Sequence, residues 1–145
     1  MERRISPVEA KQKMDEGWVY VDVRTEVEYA AGHPAGAINV PFMIDDGTGR
    51  RMNPEFPKVL SALFGTNARL ILGCQSGQRS ARASMALLAA GFPEVLDQRA
   101  GFGGVRSAFG SITEKGWRDA GLPVETTTPG GSYREVLERA QRPRS

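Results

Sequence analysis

The stretch Arg69-Leu70-Ile71-Leu72-Gly73-Cys74-Gln75-Ser76-Gly77-Gln78-Arg79-Ser80 decides how this chain folds. Its first five residues are short and apolar, as a strand buried on both faces requires. From Ser80 to Ala90 the sequence is Ser-Ala-Arg-Ala-Ser-Met-Ala-Leu-Leu-Ala-Ala, good helix formers that close at Gly91. The apolar character of this helix predicts deep packing nearly all round. A buried strand running into a helix is half of a parallel βαβ unit. At the junction stands Cys74, the only cysteine of the chain.

A lone cysteine is commonly a small buried hydrophobe. Here its followers are Gln75, Ser76, Gly77, Gln78 and Arg79, which no core strand would carry. Its thiol meets a helix N-terminus, whose free N–H groups and dipole favour an anion and therefore a thiolate. Placement and neighbours together point to a nucleophilic sulfur.

Outward from this junction, helix starts are legible. Ser6-Pro7-Val8-Glu9, Thr25-Glu26-Val27-Glu28 and Ser132-Tyr133-Arg134-Glu135 have the capping-box pattern, and Asn53-Pro54 predicts a fourth start with proline at the first helical position. Gly17, Gly32, Gly65 and Gly91 are placed to end helices. Strands are expected at 18–23, 37–40, 69–73 and 94–97, alternating with the helices. That order predicts an α/β domain, doubly wound and three-layered, with a central parallel sheet and helices on both faces.

Two loops invite other readings. Asp45-Asp46-Gly47-Thr48-Gly49-Arg50 lacks the ligand spacing and closing glutamate of a calcium loop and reads as an exposed turn. Gly101-Phe102-Gly103-Gly104 lacks the third glycine of a dinucleotide fingerprint. Residues 1–124 are expected to form the domain, and residues 125–145 a linker followed by a C-terminal helix. In that helix Arg134, Arg139, Arg142 and Arg144 outnumber Glu135 and Glu138, as on a solvated face with a frayed tail.

At 145 residues, 25% charged and 40% apolar, the chain has the profile of one globular domain. Nineteen basic residues against 17 acidic give a formal charge of +2, so nothing argues for nucleic acid or membrane as a partner. One cysteine makes no intramolecular disulfide, and Met1 to Pro7 has no apolar stretch behind its charges. A soluble, cytoplasmic protein is expected.

Three segments together resemble a single-domain rhodanese, a thiosulfate sulfurtransferase-like family. Asp22-Val23-Arg24 through Glu28-Tyr29, Gly32-His33 and Gly36-Ala37-Ile38-Asn39 is similar to the family's Asp-x-Arg, Glu-Tyr, Gly-His and Gly-Ala-x-Asn pattern. Cys74 to Ser80 resembles the family's Cys-x-x-Gly-x-Arg-Ser/Thr loop. Gly101 to Gly104, then Gly116-Trp117 and Gly121-Leu122-Pro123, resemble its closing marks. The likeness runs from about Ser6 to Pro123. It departs from the family at Pro34 in place of isoleucine, in a long 42–52 segment, at 105–115 between Gly-Gly and the tryptophan, and beyond residue 123.

The resemblance implies a ping-pong sulfurtransferase with no metal and no organic cofactor. A donor such as thiosulfate leaves its outer sulfur on Cys74, and cyanide or a thiol such as glutathione or a thioredoxin-like protein removes it. Backbone N–H groups from Gln75 to Ser80 would cradle the anionic sulfur, with Gly77 supplying a positive φ. Arg79 would face a sulfonate, since a cation in a first helical turn calls for a visiting anion. Gln75 and Gln78 would add hydrogen bonds. Asp22 and Arg24, at a strand's C-terminal end, would form an internal ion pair that fixes the loop, with a pocket-facing Asp22 as the alternative; Glu28 belongs to the same pocket-side pattern, and His33, the only histidine, falls in a structural turn.

Two alternatives stay open: a non-catalytic persulfide carrier or binding module, and a cysteine phosphatase or arsenate reductase. Phosphatases have Cys-x5-Arg; here Arg79 lies five residues after Cys74, one fewer, which suits a single sulfur better than a tetrahedral oxyanion.

Overall fold

The computed structural model describes residues 3–45 and 47–142. Asp46 of the expected turn, Met1 and Glu2, and the tail from 143 to 145 with Arg144 lie outside the described residues. The elements are β1 (Arg4–Ile5), α1 (Pro7–Asp15), β2 (Val19–Asp22), α2 (Glu26–Ala31), β3 (His33–Pro34), β4 (Ile38–Asn39), β5 (Met43–Asp45), β6 (Arg50–Met52), α3 (Phe56–Phe64) and β7 (Leu70–Gly73). There follow α4 (Gln78–Ala89), β8 (Val95–Gln98), β9 (Val105–Arg106), β10 (Ile112–Glu114), β11 (Val124–Glu125) and α5 (Tyr133–Gln141).

Five parallel strands form the central sheet in the order β1-β8-β7-β2-β4. Alternation along the strands separates two cores, as a sheet covered on both faces demands. Val21, Leu70, Leu72 and Val95 face one side with Phe56, Leu60, Leu87 and Val136 of α3, α4 and α5. Tyr20, Ile71 and Leu96 face the other with Ala10 of α1, Tyr29 of α2 and Trp117. Each fully buried leucine or isoleucine contributes about 1.5–3 kcal/mol to such a core. The architecture is therefore the three-layer α/β arrangement expected.

The chain turns from one side of the sheet to the other between β2 and β7, which are neighbours with Asp22 opposite Gly73. A crevice opens at the carboxyl ends of strands where the winding reverses. Asp22, Arg24 and Cys74 all stand at that end.

Three capping boxes form as read, at Ser6, Thr25 and Ser132. The fourth start is displaced. Helix α3 begins at Phe56, not at Pro54, because Asn53 Oδ1 accepts the Glu55 N–H in a turn of its own and Pro57 takes the early helical position. Helix α4 is not apolar all round: Ser80, Ala83, Ser84 and Leu87 are buried, whereas Met85 is 70% exposed. Its alanines hide the difference, since they suit either face.

Both long segments fold back on themselves. Strand β5 (Met43–Asp45) pairs antiparallel with β6 (Arg50–Met52), and β9 with β10 in the 105–114 segment. The second leaves and rejoins the core at a pair of glycines: a Cβ on Gly116 would lie 2.3 Å from the Gly104 nitrogen. Trp117 is thus returned to the interior, its indole N–H on the Pro123 carbonyl at 2.7 Å and its ring edge-on to Tyr20. After Pro123 the chain stays on the domain. Strand β11 pairs with β3, and α5 buries Val136 completely while Tyr133 Oη accepts from Asn53 Nδ2 at 3.0 Å. Among the described residues no helix is long and apolar enough to cross a membrane.

Candidate active site

Strand β7 ends at Gly73, where a side chain is excluded because a Cβ would sit 1.8 Å from Tyr20 Oη. The next residue, Cys74, is 2% exposed. Residues 75–77 then curl so that α4 starts over the sulfur. The Gly77 N–H donates to Cys74 Sγ at 3.1 Å and the Ser80 N–H at 3.3 Å, while the thiol donates to Ser80 Oγ at 3.4 Å. Gly77 holds φ at +93°, and a Cβ there would meet the Arg99 carbonyl oxygen at 2.2 Å. Both facts require glycine. A sulfur with two main-chain N–H groups aimed at it is in a ring that stabilises negative charge on sulfur without moving a proton.

The ring is clamped from behind. Phe102 N–H donates to the Cys74 carbonyl at 2.7 Å and Gly103 N–H to the Gln75 carbonyl at 2.9 Å. So close an approach explains the glycine-rich run: a Cβ on Gly101 would fall 2.5 Å from the Gln75 backbone. The turn is itself pinned by Gln98, whose Oε1 accepts from Ala100 N–H and Gly101 N–H at 2.8 and 2.9 Å. Gln98 and the backbone role of 101–104 are absent from the sequence reading. An isolated glycine pair signals a close approach without naming its partner.

Asp22 and Arg24 form the expected buried pair, with Arg24 Nη2 to Asp22 Oδ2 at 2.7 Å and both side chains only 2–3% exposed. Arg24 also donates to the Gly32 carbonyl at 2.7 Å and to Gln75 Oε1 at 3.2 Å, and its guanidinium lies 4.5 Å from the Phe102 ring centroid. Breaking such a pair would strand a buried charge, which fixes the geometry more than it adds stability. Gln75 is therefore an acceptor tied to the scaffold. Ser76 and Gln78 are exposed on the outer side of the ring.

Arg79 differs from expectation. Its guanidinium is bidentate to Glu28 of α2, at 2.7 and 2.9 Å. The anion that offsets a cation in the first turn of α4 is thus a residue of the protein. Partial burial tends to raise the Glu28 carboxyl, but hydrogen bonds from Arg79 and then Thr25 hold it down to about 2. Hydrogen bonding to Glu28 pushes Arg79 up, against the effect of its own partial burial.

His33 is fully buried and stacked on Tyr29 at 3.6 Å. One ring nitrogen faces the Tyr29 carbonyl and the other Thr128 Oγ1, each at 2.8 Å. It joins α2 to the segment before α5, with no hydrogen bond to the cysteine ring. Two further arginines, Arg106 and Arg118, border the outer side of the ring beside Gln75, Ser76 and Gln78. Neither stands in a pattern that the sequence reading used.

The family model for the rhodanese-like domain matches residues 6–108. The chain belongs to the rhodanese-like domain family. It is 39% identical over 116 residues to rhodanese-like domain-containing protein 15, chloroplastic, of Arabidopsis thaliana, covering 80% of this chain and 57% of that relative. It is 40% identical over 109 residues to thiosulfate sulfurtransferase 16, chloroplastic, of the same plant, covering 75% and 81%. Among solved structures, that of Rv0390 from M. tuberculosis superposes with a TM-score of 0.70 at 29% identity, covering 86% of this chain and 97% of that one.

Proposed function

We propose that this protein is a sulfurtransferase that carries sulfane sulfur as a persulfide on Cys74. The observation that carries the reading is the pair of N–H groups, from Gly77 and Ser80, at 3.1 and 3.3 Å from Sγ. The Cys74 thiolate attacks the outer sulfur of thiosulfate. An S–S bond forms to the protein, the S–S bond of the donor breaks, and sulfite leaves with the electron pair. Cyanide, or a thiolate acceptor such as that of glutathione or a thioredoxin-like protein, then attacks the terminal sulfur, and Cys74 leaves as thiolate. The ring supports both halves because its donors are main-chain groups with no protonation state to reset. A relative bearing the name thiosulfate sulfurtransferase at 40% identity supports thiosulfate as the donor.

Intact-mass measurement after thiosulfate treatment tests the reading. A gain of one sulfur atom, lost again on adding cyanide or a thiol with release of thiocyanate or a small-molecule persulfide, is expected. No sulfur on the protein at millimolar thiosulfate would overturn it.

A further inference from the structure

If Arg79 is held by Glu28, another group must receive the charge of an anionic donor. A cleft of about 400 Å³ opens on the outer side of the cysteine ring. One wall is Gln75, Ser76 and Gln78, the residues that follow Cys74; the other is Gly104, Arg106 and Arg118. Among the described residues, no acidic side chain lines it.

The two arginines are available in a way that Arg79 is not. Arg106, on β9, donates Nη1 to the Gly110 carbonyl at 3.0 Å, which props its side chain on the hairpin. Among the described residues no carboxylate is paired with it. Arg118 leans over the Phe102 ring at 5.6 Å, and its only ion-pair partner among the described residues is the adjoining Asp119 at 3.6 Å, with side-chain exposures of 59% and 38%. An exposed contact of that kind is weak. Arg79, by contrast, would have to surrender two charge-assisted bonds at 2.7 and 2.9 Å before it could take an external anion.

We propose that Arg106 and Arg118 form the subsite for the oxyanion end of the sulfur donor, so that the cleft selects donors carrying a sulfonate or similar group. The 105–115 segment, an addition to the family pattern, is then what sets donor choice. This inference rests on the sulfurtransferase reading above only for the identity of the donor. The cationic cleft is a property that can be read without sulfur transfer. Thiosulfate held there by its sulfonate oxygens would lie beside Gln75, Ser76 and Gln78, the residues that follow Cys74. Sulfite then departs from the same two arginines.

Two measurements test it on the full chain, with Arg106→Gln, Arg118→Gln and the double variant. Both positions are on the surface, so the variants keep the fold. In thiocyanate formation, each single change should raise the thiosulfate KM by about tenfold with kcat nearly unchanged, the size expected for one charge-assisted contact, and Arg106→Lys should recover most of the loss. In alkylation of Cys74, the rate ratio of iodoacetate to iodoacetamide should fall by about threefold in the double variant, because only the first reagent is an anion. A double variant whose thiosulfate KM stays within twofold of wild type overturns the subsite, as does Arg79→Gln raising that KM more than the double variant does. If the wild type takes no sulfur from thiosulfate, the sulfurtransferase reading fails and the alkylation ratio alone decides: an unchanged ratio in the double variant overturns the cationic cleft, a lowered one upholds it.

Discussion

The Arg79 guanidinium forks onto the Glu28 carboxylate, Nη1 to Oε1 at 2.7 Å and Nη2 to Oε2 at 2.9 Å, joining the first turn of α4 to α2 across the cysteine ring. Side-chain exposures of 18% and 29% place the pair at the edge of the solvent. Its first consequence is a pH dependence. An unfolded glutamate titrates at about 4.3, whereas folded Glu28 is held down to about 2. A carboxyl with a depressed folded value stabilises the fold fully above its unfolded value and loses that contribution as pH falls toward the folded one. The contribution, discounted for solvent screening, is about 2 kcal/mol. Glu28→Gln retains the capping box, so urea unfolding should show a gap between wild type and variant at pH 6 that closes between pH 4.5 and 2. A gap independent of pH would show that the pair contributes no charge effect.

Cys74→Ser should remove thiocyanate formation entirely, since the chain has no second thiol. The hydroxyl fits under the same N–H groups, so circular dichroism and the melting temperature should stay close to wild type. Turnover near the wild-type level would end the role given to this sulfur.

Gly77→Ala should cost at least about 2 kcal/mol, because it combines a strained positive φ with a steric clash. The Cβ would press on the Arg99 carbonyl at 2.2 Å, and the ring that aims the N–H group at Sγ would shift. Sulfur loading should therefore fall even at temperatures where the variant is folded. Loading at the wild-type rate would mean that the Gly77 N–H is not needed.

His33→Gln should act on stability alone. The substitution removes the stacking on Tyr29 and a fully buried ring, and a loss of about 1–3 kcal/mol is expected for disturbing two buried hydrogen bonds. The kcat for sulfur transfer, measured well below the melting temperature, should stay within twofold of wild type. A large fall in kcat with a changed pH profile would identify the imidazole as a proton carrier.

Removal of residues 132–145 should unfold or severely destabilise the domain. Helix α5 places Val136 wholly inside the larger core, with Tyr133, Leu137 and Ala140 packed around it. Their loss would expose several buried apolar side chains at about 1.5–3 kcal/mol each. A shortened chain with an unchanged melting temperature would show the helix to be an accessory.

Residues whose roles are local were legible before the structure. Capping boxes at Ser6, Thr25 and Ser132 depend on two side chains one turn apart, and the strand-to-helix passage through Cys74 is contiguous. The Asp22–Arg24 pair was also within reach, being two residues apart on one strand end. What escaped depends on residues distant in sequence. Glu28 lies 51 positions from Arg79, and nothing along the chain announces that α2 and α4 meet at the ring. Pairing of β1 with β8 joins residues more than 90 positions apart, through two residues too few to show alternation. The two hairpins escaped because their strands, two or three residues long and largely exposed, carry no hydrophobic period.

The clamp on the ring through Phe102 N–H and Gly103 N–H bears on how such a protein can diverge. Those bonds, like the bonds to Sγ, run from main chain to main chain or from main chain to sulfur, and they constrain glycines and a carbonyl path but few side-chain identities. Ser76 and Gln78, and the whole hairpin from Val105 to Glu114, are free of that constraint. Substitutions there change the outer face of the site while the main-chain bonds that hold the ring beneath it stay in place.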